Sequence, residues 1–127
     1  MLICIPDILN GDQLAKLVSL MDRQTFIDGR ETAGWAAKGV KDNKQVASNS
    51  RNYAAMQAMV TEALAPNPFF AMAAMPRTMR PILFSRYTEG MGYGAHVDNA
   101  LMGEAPQTRI DLAFTLFLSD PQSYEGG

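Results

Sequence analysis

The spacing of apolar residues in the first half of the chain predicts helices. Apolar residues recur at intervals of three and four between Asn10, which has a typical N-cap side chain, and Arg23, where the first helix is expected to end. The same spacing predicts a second helix over residues 48–64, closed by Pro66. A short third helix is expected over residues 69–75.

The second half changes to the alternation that is typical of β-strands. Residues 81–87 and, most clearly, 109–118 alternate between two faces, and residues 2–5 form a short apolar run that also predicts a strand. Segment 28–45 mixes glycine with charge and has no period, so we expect a loop or an irregular pair of strands. Helices followed by strands favour an α+β fold over a βαβ fold.

Composition limits the function classes. The 127 residues suit one domain, with 47% hydrophobic and 19% charged residues and a net charge of −2. The sequence has no run of basic residues, so a nucleic-acid partner is not expected. It also lacks the roughly 20 consecutive apolar residues of a membrane-spanning helix, so a membrane partner is not expected either. Cys4, the single cysteine, excludes an intrachain disulfide. We therefore expect a cytoplasmic protein with Cys4 as a small buried residue.

One histidine carries the candidate chemistry. His96 and Asp98 are two residues apart, so on a strand their side chains lie on the same face. An imidazole and a carboxylate side by side provide the first part of a two-histidine, one-carboxylate iron site. Taken alone, this spacing is better explained by a structural His–Asp pair.

Several motifs around this pair resemble the prolyl-hydroxylase-like iron(II)/2-oxoglutarate dioxygenases, and in particular the bacterial PKHD-type hydroxylases. The resemblance covers essentially the whole chain, and its motifs follow one another in the same order. They are Asp28-Gly29-Arg30, Lys41/Asn43/Gln45, Pro76-Arg77, Phe84 to Tyr87, Tyr93 to Asp98 and Asp111 to Tyr124.

The resemblance implies a double-stranded β-helix, or jelly-roll, oxygenase domain. Residues 1–127 would form a single, incomplete domain, in which residues 1–80 give mainly helical support. Residues 81–127 would then contribute the first core strands.

The resemblance also assigns roles to individual residues. His96 and Asp98 would be the first two ligands of iron(II), and Tyr87 would contact the distal carboxylate of 2-oxoglutarate. Thr115 is a weaker match, because the family's co-substrate threonine falls at Ala113 in this chain. L-Ascorbate is the reductant that the family implies.

A substrate pocket is the least specific of these expectations. Lys41, Asn43, Gln45 and Tyr93 are candidates to line it, although a solvated polar loop or ordinary packing would also explain them. Trp35 is expected to be a loop anchor or a pocket wall. The substrate, a small molecule or a peptide, is not identified by the sequence.

The chain departs from the family pattern in one respect. His96 is its single histidine, and the family's second histidine and 2-oxoglutarate-binding basic residue would follow Gly127. Together with the Gly126-Gly127 turn signal, this predicts a fragment. The alternative is a non-catalytic binding module of the same fold. An uncovered apolar face at residues 110–118 predicts self-association.

Overall fold

A computed structural model describes residues 2–126. It contains three α-helices and seven short β-strands, with three short 3₁₀ turns. In chain order the helices and strands are α1 (Gly11–Asp22), β1 (Phe26–Asp28), β2 (Lys41–Asp42), β3 (Lys44–Val46), α2 (Tyr53–Leu64), α3 (Pro68–Ala74), β4 (Ser85–Arg86), β5 (Gly92–Tyr93), β6 (Leu101–Met102) and β7 (Thr108–Arg109). The 3₁₀ turns are Gly29–Thr32, Lys38–Val40 and Pro121–Ser123.

All strand pairs are antiparallel and form three small sheets. The largest has the order β1-β3-β4, so β3 lies in its centre, and β2-β5 and β6-β7 form two-stranded sheets. In the central sheet Phe26 lies opposite Val46, and Gln45 lies opposite Ser85. In the β2-β5 sheet Lys41 lies opposite Tyr93. These two registers bring the predicted pocket residues close together.

The predicted helices are confirmed, with one shifted start. Asn10 and Gln13 form a reciprocal capping box, with both hydrogen bonds at 2.9 Å, which fixes the start of α1. Asn67 caps α3 through a 2.9 Å hydrogen bond from the Phe70 amide. Helix α2 begins at Tyr53 instead of residue 48, because hydrogen-bonded turns occupy the residues before it.

The core lies between α1, α2 and the β1-β3-β4 sheet. The Tyr53 ring meets the Phe84 ring edge to face at 5.7 Å, and its hydroxyl donates to the Ile82 carbonyl at 2.7 Å. Burial raises the pKa of this hydroxyl. The buried members of the core are Leu17, Met21, Val46, Tyr53, Met56, Val60, Leu64 and Phe84.

Three of the predicted strands are wrong in whole or in part. Residues 2–5 form no strand and Cys4 is exposed, which corrects its expected burial. Of residues 81–87 only Ser85–Arg86 pairs in a sheet. Of residues 109–118 only Arg109 belongs to a strand. Alternation gives a segment two faces, but a strand also needs a neighbour that offers backbone hydrogen bonds.

The α+β class is confirmed, whereas a jelly-roll core is not seen in residues 2–126 and stays a prediction. Gly127, half of the predicted terminal turn, lies outside the described residues. Within the described part of the chain, no helix combines the length and apolar character needed to cross a membrane.

A pair of methionine substitutions tests the position of the core. Met56 is completely buried, so Met56→Ala is expected to lower the free energy of unfolding by about 2–5 kcal/mol through lost contacts and a cavity. Met72 is 74% exposed, so Met72→Ala should change the free energy of unfolding by less than roughly 0.5 kcal/mol. Urea denaturation of both variants measures this, and equal effects would contradict the described core.

Candidate functional site

Three polar side chains on alternating residues of the β2–β3 segment are buried. Lys41, Asn43 and Gln45 are 4%, 1% and 2% exposed. Their spacing of two places them on one face, while Val46 on the other face of β3 packs into the core. The polar residues of this face border an open cleft. Because burial of polar groups is unfavourable without partners, this face is a candidate for binding chemistry.

Gln45 and Lys41 share a hydrogen-bonded partner, Thr32. The Thr32 hydroxyl lies 2.5 Å from Gln45 Oε1 and accepts from Lys41 Nζ at 3.0 Å. Gln45 Nε2 donates to Ser85 Oγ at 3.2 Å. Sequence reasoning missed Thr32, which belongs to none of the spaced motifs, and Ser85, which lies inside the Phe84 to Tyr87 motif at a position the motif does not specify. Only the folded backbone brings both residues to this face.

Asn43 holds Tyr87 in a defined orientation. Asn43 Nδ2 donates to the Tyr87 hydroxyl oxygen at 2.9 Å. Asn43 Oδ1 is buried without a hydrogen-bond partner among residues 2–126 and lies against Gly29, where an added Cβ would be 1.6 Å from it. Because the Tyr87 oxygen accepts from Asn43, its own hydrogen is free to donate to a ligand in the cleft.

The imidazole of His96 is held on two sides. Its Nδ1 lies 2.8 Å from the Gly94 carbonyl oxygen, which can only accept, so Nδ1 carries a hydrogen. Nε2 lies 3.3 Å from Asp98 Oδ1. The Tyr93 ring stacks on the imidazole with centroids 3.8 Å apart and planes at 10°. The arrangement leaves one nitrogen and one carboxylate oxygen directed to the same place.

Lys41 connects the buried polar face to this pair. Its ammonium lies 5.1 Å from the centroid of the Tyr93 ring, the same ring that stacks on His96. Burial lowers the pKa of Lys41, and the negative charge of Asp28 opposes that effect. Burial raises the pKa of Tyr93, with further contributions from Asp98 and Tyr87. Lys41 and Tyr93 are therefore partly shielded from water.

The structure brings most of the sequence-predicted site residues together. All eight border the same cleft, and seven of them form two contact groups: Asn43 with Tyr87, and Gln45, Lys41, Tyr93, His96 and Asp98, with Thr32 joining Gln45 to Lys41. Thr115, the eighth, is exposed and also lines a small apolar cavity of about 100 Å³ beside Leu64 and Phe70. No hydrogen bond within residues 2–126 joins it to Tyr87. Trp35 is 90% exposed, so it neither anchors its loop nor walls a pocket.

Comparison with curated proteins finds relatives along the whole chain. A PKHD-type hydroxylase of Synechococcus elongatus is 49% identical over 128 residues, which covers 100% of this chain and 57% of the relative. The Acaryochloris marina PKHD-type hydroxylase is 44% identical with the same coverage. In Klebsiella pneumoniae the identity is 46% over 97% of this chain and 56% of the relative. The chain is a homologue of the PKHD-type hydroxylases.

The resemblance identified from the motifs is thus confirmed. The chain spans little more than half the length of these PKHD-type relatives. A scan against models of protein families gives no match.

His96 and Asp98 fit two neighbouring positions around a metal ion. Ligand atoms lie about 2.0–2.2 Å from a first-row metal, which puts adjacent donors close to the separation of these two atoms. The Gly94 carbonyl on Nδ1 is the outer contact that metal-binding imidazoles use. Within residues 2–126, no three histidine, cysteine or acidic side chains form a group that could hold a metal. The described residues therefore bring together two candidate donors for such a site.

Substitution of Gly29 tests the support of Asn43. In Gly29→Ala the new methyl group would collide with Asn43 Oδ1, so we expect the free energy of unfolding to fall by about 1–3 kcal/mol. Gly39→Ala is the control, because a Cβ there meets nothing within 4 Å. Urea denaturation compares the two variants, and an unchanged stability of Gly29→Ala would contradict the described packing.

Proposed function

We propose that this chain carries two iron ligands and part of the co-substrate site of an iron(II)- and 2-oxoglutarate-dependent hydroxylase. Two findings support the proposal: the curated homologues are named PKHD-type hydroxylases, and His96 Nε2 lies 3.3 Å from Asp98 Oδ1. The second carries it, because an imidazole nitrogen beside a carboxylate is the start of the facial triad of such enzymes.

In this proposal His96 and Asp98 hold iron(II). With dioxygen as the oxidant, bound iron and 2-oxoglutarate would supply the oxidation: one oxygen atom would enter succinate as 2-oxoglutarate loses carbon dioxide, and the other would hydroxylate a substrate C–H bond. The protein contributes orientation. The Gly94 carbonyl keeps the hydrogen on Nδ1, so that Nε2 is available as a ligand. Tyr93 covers one face of the imidazole and shields it from water.

Tyr87 is the proposed contact for the carboxylate of 2-oxoglutarate. Its hydroxyl oxygen accepts from Asn43 and can still donate one hydrogen bond to a carboxylate. Thr115 remains a proposed second contact, although its exposed position beside an apolar cavity gives it no support. L-Ascorbate, as a reductant of the iron, is proposed from the family alone.

The substrate is proposed to be a small molecule or a peptide that enters the cleft beside Lys41, Asn43, Gln45 and Tyr93. A cytoplasmic location, and the expectation that neither nucleic acid nor a membrane is a partner, stay predictions from composition.

A non-catalytic binding module of the same fold is the second candidate. It is favoured by one observation, namely that no three-ligand group lies within residues 2–126. The two candidates differ in metal binding, which the hydroxylase requires and the binding module does not.

Quenching of Trp35 fluorescence by iron(II) under anaerobic conditions separates them. Trp35 is the single tryptophan, and its neighbour Gly34 packs closely against Asn99, next to Asp98. We expect saturable quenching that 2-oxoglutarate strengthens. His96→Ala and Asp98→Ala should each weaken iron binding at least tenfold, because each removes one of two ligands.

Asp111→Ala is the matched control, since Asp111 is an exposed acid that pairs with Arg109 at 2.8 Å. It should leave the quenching unchanged. No response at saturating iron, or equal loss in Asp98→Ala and Asp111→Ala, would contradict the hydroxylase proposal.

We also propose that the chain self-associates. Leu112, Phe114 and Phe117 are exposed, and burial of apolar side chains between copies is favourable. Light scattering after size-exclusion chromatography should show species larger than the monomer, and Phe117→Asp should shift the distribution toward monomer more than Ser119→Asp does. A monodisperse wild-type monomer at micromolar concentration would disprove self-association.

A further inference from the structure

The ammonium of Lys41 is buried without a carboxylate beside it. Lys41 is 4% exposed, yet none of the ion pairs formed within residues 2–126 includes it. The nearby acids Asp28 and Asp42 both pair with Arg30, at 3.6 and 3.7 Å. Asp28 therefore compensates the buried Lys41 ammonium only in part, and an anion bound from outside the chain would complete the compensation.

The contacts of Lys41 leave part of its hydrogen-bonding capacity unused. An ammonium has three N–H donors. One donates to Thr32 Oγ1 at 3.0 Å, and the positive charge faces the Tyr93 ring at 5.1 Å. Neither neighbour carries a negative charge. The Thr32 hydroxyl hydrogen points to Gln45 Oε1 at 2.5 Å, so Thr32 offers the ammonium only its neutral hydroxyl oxygen.

The position of Lys41 relates it to the proposed metal ligands. Lys41 lies opposite Tyr93 in the β2-β5 sheet, and Tyr93 stacks on His96. All three border the cleft. Tyr87, the proposed co-substrate contact, is instead bound by Asn43, about 7 Å further along the same face at the rise of an extended chain. Two ligand groups can therefore be bound side by side on this face.

We infer that Lys41 binds an anionic group, a carboxylate or a phosphate, of the substrate that lies beside His96 and Asp98. The inference rests on the proposed function, because it takes the His96–Asp98 pair as the reactive centre. It narrows the substrate class to molecules or peptides with a negative charge near the carbon that reacts. A neutral substrate would leave the Lys41 charge compensated only in part, by Asp28.

Inorganic phosphate is a suitable probe of this site. It is titrated into the metal-free wild-type chain at constant ionic strength, and amide chemical shifts are followed by NMR. We expect saturable changes centred on Thr32, Lys41 and Tyr93. Lys41→Met should weaken phosphate binding at least tenfold, whereas Lys44→Met, which removes the same charge from an exposed position on β3, should not change it.

Three results would overturn the inference. The first is the absence of saturable chemical-shift changes in the wild type, and the second is equal weakening of phosphate binding by Lys41→Met and Lys44→Met. The third is displacement of phosphate by saturating 2-oxoglutarate, which would assign Lys41 to the co-substrate. If Lys41→Met does not fold, the location of the phosphate-induced shift changes in the wild-type chain tests the inference instead. Changes centred on residues away from Lys41 would then disprove it. No metal is present in the phosphate titration, so its result does not depend on iron binding. Phosphate binding can fail while iron quenching succeeds, and iron quenching can fail while phosphate binding succeeds.

Discussion

The central strand β3 is the constraint on which both the core and the candidate site depend. It is paired on both sides, so its register is fixed by β1 and β4 together. Val46 faces the helices, and Gln45 faces the polar cleft. A slip of one residue would exchange these faces, putting an amide into the core and an apolar side chain into the cleft. Core stability and site geometry are therefore linked through one register.

The polar face gains its order from contacts between elements that are distant in sequence. Asn43 is fixed between Gly29 and Tyr87, and Lys41 lies between Thr32 and Tyr93. The hydrogen bonds of Asn43 and Lys41 are part-buried, and hydrogen bonds and charge–ring interactions are stronger there than at a fully exposed surface. Such a face can hold a ligand in a defined orientation without a large rearrangement.

The other side of the cleft is less closely packed. The cleft is open and runs along much of the described chain, so it is not a closed small-molecule pocket. Leu112, Phe114 and Phe117 leave apolar surface exposed beside it. Relatives of this chain are nearly twice as long, and their hydroxylase names refer to those longer proteins. The described residues thus present one well-ordered polar wall and two candidate ligands.

The amino-acid sequence by itself determined the helices, because capping and apolar spacing act within a few residues, as at Asn10 in α1. It also determined the proximity of His96 and Asp98 through their spacing of two residues, although the structure has no strand at residues 94–100. Tertiary structure decided that residues 2–5 and 110–118 are not strands, since a strand depends on a neighbouring backbone. Packing against Gly29 and Thr32 decided the burial of Lys41, Asn43 and Gln45, because the alternating polar pattern is the same for a solvated loop and for a buried face.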